Sequence, residues 1–177
     1  FVPQPKPSPQ ADTAISFYHR PDMKSAERGT QKAAMVEQNE QSKPFLDKLT
    51  QSESSGDSNA EITIADGRRF VGALQFGDAR LQDYQAATGS SFTQDEFKAN
   101  RALQDRVAAW HLADIDKTID GLGLNTDGYD RDGLRAVAHL GGKHGLKKFV
   151  QSAGEYNPSD ELGTSLQDYY DKFAVQS

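Results

Sequence analysis

Residues 62 to 71 constrain the fold more than any other stretch. Ile62-Thr63-Ile64 alternates in the manner of a strand, Asp66-Gly67 suits a tight turn, and Arg68, Arg69, Phe70 and Val71 form the return. Two strands of this length do not hold alone, so the hairpin must lean on helices. The flanking sequence supplies them. Before the hairpin, Pro44 fits a first helical turn after Ser42, and Phe45, Leu46 and Leu49 form an apolar stripe. After it, a short helix is expected from Asp78 through Leu81 and Tyr84 to Thr88-Gly89. Thr93-Gln94-Asp95-Glu96 fits a capping box opening a long helix that carries Phe97, Leu103, Val107, Trp110, Ile115 and Ile119 to Asp120. Further helices are expected over Leu134 to Leu140, stopped by Gly141-Gly142, then through Leu146, Phe149 and Val150 to Gly154. A last one starts near Thr164 and buries Leu166, Tyr169 or Tyr170, and Phe173. The expected class is mainly α (α+β), a helical domain with a small β-hairpin over residues 43–177.

Residues 1–42 read differently. FVPQPKPSPQ has four prolines in its first ten positions, which block helix and favour an extended, solvated chain. Ala11 to Ser42 is rich in Gln, Glu, Lys and Ala, with sparse apolar residues such as Ile15, Phe17, Met23, Met35 and Val36. Its functional reading is an arm that docks a protein partner; its composition favours a flexible extension without a core.

Composition excludes several functions. A net charge of −6 lacks the basic face a nucleic-acid binder needs to displace counterions. No apolar run approaches the roughly 20 residues of a membrane helix. The absence of cysteine removes disulfides, thiol catalysis and zinc–thiolate sites. Asn125 to Gly133 has the acids of a calcium loop, but it puts Gly128 and His139 where oxygen ligands would be required, so no metal and no cofactor is expected. His139 and His144 straddle two glycines and do not make a helical metal pair. A chain beginning at Phe1 fits a processed product, so the expected location is periplasmic or secreted after removal of a signal peptide.

The chemistry is expected at Glu53. It continues the Phe45, Leu49 stripe by four residues, and Ser54, Ser55 and Gly56 break the helix behind it. An acid on the core-facing side of a helix end is paired, desolvated or at a cleft, and desolvation would raise its pKa and keep it protonated as a general acid needs. Beyond the hairpin, Gly72 permits close approach of a backbone or a sugar. Gln75 carries donors and an acceptor suited to N-acetyl sugars, and Phe76 can stack on a pyranose face. Tyr156, in the turn Tyr156-Asn157-Pro158, is a further candidate for the groove.

Glu53-Ser54 followed by Gly72-Ala73-Leu74-Gln75 resembles the Glu-Ser and Gly-Leu-Met-Gln pattern of soluble lytic transglycosylases, members of the lysozyme-like superfamily. Ile62, Ile64, Asp66-Gly67 and Phe70 resemble the hairpin after the catalytic Glu of phage-type lysozymes. Ala138-His139-Leu140-Gly141-Gly142 stands where a transglycosylase has Ala-Tyr-Asn-Ala-Gly, with His139 at the Tyr position and Leu140 at the Asn position. The resemblance implies a lysozyme-like fold and an enzyme that cleaves peptidoglycan glycan strands between N-acetylmuramic acid and N-acetylglucosamine. Glu53 would be catalytic, with Ser54, Gly72, Gln75, Phe76, His139 and Tyr156 at the substrate. In a transglycosylase one acid performs both proton transfers and leaves a 1,6-anhydromuramyl end. A hydrolytic muramidase would need a second carboxylate, for which Glu61, Asp66 and Asp57 are the candidates. A third reading is a wall-binding or assembly protein without chemistry.

Overall fold

The computed structural model describes residues 42–175. The extension expected over 1–42, and the partner arm assigned to it, therefore lie outside the described residues except for Ser42. The chain is mainly helical with one small antiparallel sheet. Helix α1 covers residues 42–54. The sheet follows, with β1 (Glu61–Thr63), β2 (Arg69–Val71) and β3 (Phe76–Gly77) in spatial order β1-β2-β3. Then come α2 (Asp78–Thr88), α3 (Gln94–Lys98), α4 (Arg101–Gly121), a 3-10 turn (Gly123–Thr126), α5 (Arg131–Gln151) and α6 (Leu166–Phe173). Among the described residues no helix is long and apolar enough to cross a membrane.

The hairpin forms where its alternation placed it, with Ile62 opposite Phe70 and the turn closed by the Ile64 amide on the Arg68 carbonyl at 2.9 Å. Strand β3 was not expected. Two residues give no alternation to read, and Val71 and Phe76 pair only because Gly72–Gln75 folds back between them.

The long helix expected from Thr93 to Asp120 is two helices. Thr93 and Glu96 do form the capping box, but it opens only the short α3. Asn100 then takes an extended conformation, and its side chain accepts the Leu103 amide at 3.0 Å to start α4 afresh. In α5 the expected stop is present: Gly142 has φ 73° and ψ 174°, outside the helical region, so α5 is two helices meeting at a kink.

The core has two connected parts. Phe45 and Leu49 of α1 pack with Val71, Phe76, Phe97, Val107 and Phe173, while Ile115, Val137, Leu146, Phe149 and Leu166 fill the space between α4, α5 and α6. Leu49 is 1% exposed, and truncating such a residue costs about 2–5 kcal/mol. That burial fixes the rotation of α1, and with it the direction of Glu53.

Candidate active site

Helix α1 stops just after Glu53. Ser55 and Gly56 take left-handed conformations, and the Gly56 amide returns to the Thr50 carbonyl at 3.4 Å. Glu53 extends the buried Phe45, Leu49 face, so its side chain points inward with 17% of its surface exposed. Two groups converge on one of its oxygens. The Tyr169 hydroxyl of α6 donates to Oε1, and Nε2 of His139 on α5 faces the same atom at 3.4 Å. Lys172, one turn beyond Tyr169, adds a positive charge and donates to Ser52 Oγ at 2.7 Å.

These neighbours reverse the expected titration of Glu53. Burial is the largest single influence and raises its pKa, but His139, Tyr169 and Lys172 together outweigh it and bring the carboxyl below its ordinary 4.5. Glu53 is therefore a carboxylate at neutral pH. Burial, reinforced by the charge of Glu53, pushes the Tyr169 phenol up, so that Tyr169 remains a donor.

A second layer stands behind His139. Its Nδ1 lies 3.0 Å from Nε2 of His111 on α4, and Nδ1 of His111 accepts from Arg80 Nε of α2 at 2.9 Å. Arg80 also donates to Asp114 at 2.6 Å, lies 4.2 Å over the Trp110 ring, and shares Asp114 with Lys143. His111 is buried, and burial, then His139, Arg80 and Lys143, hold it well below its ordinary 6.5 and therefore neutral. Phe76 walls the pair, edge-on to His111 at 5.0 Å and to His139 at 6.1 Å.

The structure sorts the other expected site residues. His139 meets Glu53 directly. Phe76 is 3% exposed, so it is part of the core and presents no face to a sugar. Gly72 has φ 84°, and a Cβ there would lie 2.8 Å from Gln104 Oε1, so its glycine serves packing against a side chain. Gln75 spends its amide on the Ala60 and Gly72 carbonyls at 3.1 and 2.9 Å, bracing the turn before β3. Ser54 Oγ bonds back to Thr50 O at 3.1 Å. Tyr156 is exposed on the loop after α5, with Lys148 Nζ 5.1 Å from its ring.

The candidate second carboxylates are all engaged. Glu61 takes both arms of Arg69 at 2.6 and 2.7 Å and Lys98 at 2.7 Å, which hold it at about 2. Asp66 caps its own turn by accepting from the Arg68 amide and Nε, and Asp57 accepts the Asn59 amide. Among the described residues no group of His, Asp and Glu is placed to hold a metal ion. A cavity of about 370 Å³ lies on another flank of α1, lined by Lys43, Leu46, Thr50, Leu74, Phe97 and Arg101 among others. Glu53 is not in its wall.

Sequence reasoning missed His111, Arg80 and Gln104. Two of them had a visible signal: Gln104 and His111 interrupt the apolar face of α4 that carries Val107, Ile115 and Ile119, and a polar residue on a buried stripe needs a partner. No family model, curated protein or solved structure matches the chain.

Proposed function

We propose that this chain is a lysozyme-like peptidoglycan-cleaving enzyme, acting as a lytic transglycosylase on the bond between N-acetylmuramic acid and N-acetylglucosamine. The observation that carries the reading is the setting of Glu53: an inward carboxylate at the end of the helix that precedes the hairpin, held through one oxygen by Tyr169 and faced by His139. In the resemblance His139 takes the place of a Tyr that positions the catalytic Glu or the sugar, and its Nε2 lies 3.4 Å from Glu53 Oε1.

With Oε1 engaged, Oε2 carries the reactive proton. A glycan lying over the exposed edge of Glu53 removes water from it, which strengthens the burial that already opposes ionisation and favours the protonated acid. Oε2–H protonates the glycosidic oxygen, the bond to C1 breaks, and the sugar passes through an oxocarbenium-like state. The carboxylate then takes the proton of the muramyl C6 hydroxyl as that oxygen closes on C1. His139, Tyr169 and Lys172 stabilise the anion in this second half. No water enters the products, and a single carboxylate suffices, consistent with the engagement of Glu61, Asp66 and Asp57 in pairs and turns.

The test is mass spectrometry of soluble fragments from purified peptidoglycan incubated with wild type and with Glu53→Gln. Anhydromuramyl ends from the wild type that vanish in the variant are expected. Equal cleavage by both would remove Glu53 from the mechanism, and wall binding with no fragments from either would leave a binding protein.

A further inference from the structure

The three-residue chain behind Glu53 has a direction. A guanidinium only donates, so Arg80 Nε, 2.9 Å from His111 Nδ1, requires a lone pair there. His111, kept neutral by its burial, must then carry its proton on Nε2. That proton points at His139 Nδ1, 3.0 Å away, which in turn must be the acceptor. The remaining proton of His139 lies on Nε2, the atom that faces Glu53 Oε1.

We propose that Arg80 and His111, neither of which touches Glu53, are positioning residues that lock His139 in its Nε2–H form, occupying Oε1 and reserving Oε2 for the transferred proton. The catalytic part of this inference rests on the glycosidase reading above; the direction of the chain does not.

The lock works by mismatch. Adding a proton to His139 Nδ1 would set N–H against the N–H of His111, and turning His111 to relieve it would set N–H against Arg80. Either change breaks a buried hydrogen bond. The charged and titratable groups around the chain are Glu53 on α1, Arg80 and Asp83 on α2, Asp114 on α4, Lys143 on α5, and Tyr169 and Lys172 on α6. Asp114 holds the far end by fixing Arg80. The family motif puts one hydroxyl-bearing ring where this chain has His139, and a ring with two nitrogens needs such a device because it can otherwise face the carboxylate with the wrong one.

The experiment is long-range proton–nitrogen NMR of the histidine rings in the full chain without substrate, for wild type, Arg80→Met and Arg80→Lys, assigned with His111→Gln. His111 and His139 are expected to show protonated Nε2 and bare Nδ1 in the wild type. Arg80→Met should release both rings into mixed forms, and Arg80→Lys, which still only donates, should restore them. In glycan cleavage, Arg80→Met should lower kcat about tenfold or more with little change in KM and an altered acid limb, since acid–base catalysis supplies roughly 10²–10⁴-fold in all. A wild type with Nδ1–H on His111 overturns the proposal, as does an Arg80→Met protein with unchanged ring states. If Arg80→Met does not fold, the wild-type ring states decide alone. A wild type with the expected rings that cuts no glycan overturns the glycosidase reading and keeps the lock.

Discussion

Gln104 and His111 lie two turns apart on the same buried stripe of α4, and they do opposite things. Gln104 accepts the Ala73 amide at 3.0 Å and donates to the Ser58 and Lys98 carbonyls at 2.8 and 3.1 Å, so its strong partners are all backbone. It clamps the loops on either side of the hairpin to the start of α4. His111 bonds to two side chains, one permanently charged and the other in contact with Glu53. Backbone partners fix a shape, whereas side-chain partners transmit a protonation state. The hairpin end of α4 therefore holds the fold, and its centre reaches Glu53 through His139.

The comparison can be broken most severely at Glu53. Glu53→Gln keeps an acceptor for Tyr169 but removes the transferable proton, and glycan cleavage should fall by at least about 10²–10⁴-fold in a turnover assay. Gln104→Leu should instead strike stability. It removes the partner of the buried Ala73 amide and of the half-buried Ser58 and Lys98 carbonyls, at about 1–3 kcal/mol in a urea titration, with hairpin amides the first to lose exchange protection. A Gln104→Leu protein as stable as the wild type would erase the distinction between the two residues.

Tyr169→Phe is expected to act on the chemistry more gently. Losing one donor lets the pKa of Glu53 rise, so the pH at which kcat/KM begins to fall should move upward, read from a pH–rate profile. Stability carries the same sign. The carboxyl of Glu53 lies lower in the folded chain than in the unfolded one, so its contribution is present above about 4.5 and is lost as pH falls through the folded value. Acid titration of Glu53→Gln should lack that loss. The smallest effect belongs to Glu61→Gln, whose partners Arg69 and Lys98 are half-exposed; cleavage should stay within error of the wild type and the melting temperature should fall only slightly.

Much of this was legible in the chain. The Phe45, Leu49, Glu53 spacing gave the inward acid, and Ile62 to Val71 gave the hairpin, because each signal is local and periodic. The split between α3 and α4 was hidden, since Asn100 is a helix-starting cap only once its backbone leaves the helix. Phe76 was misread because it sits in an unexpected strand that turns its ring inward. Of the two tyrosines between which the spacing of the last helix does not choose, Tyr169 is core, 7% exposed, yet its hydroxyl reaches a residue 116 positions away. The same holds for Arg80, His111 and His139, which meet only when three helices pack.

The most direct measurement is digestion of peptidoglycan by the wild type in ¹⁸O-water, with the muramyl ends read by mass spectrometry. Ring closure by the C6 hydroxyl under Glu53 predicts 1,6-anhydro ends that carry no ¹⁸O. Reducing muramic ends labelled with ¹⁸O would show that water is the nucleophile and would contradict a site built on one carboxylate.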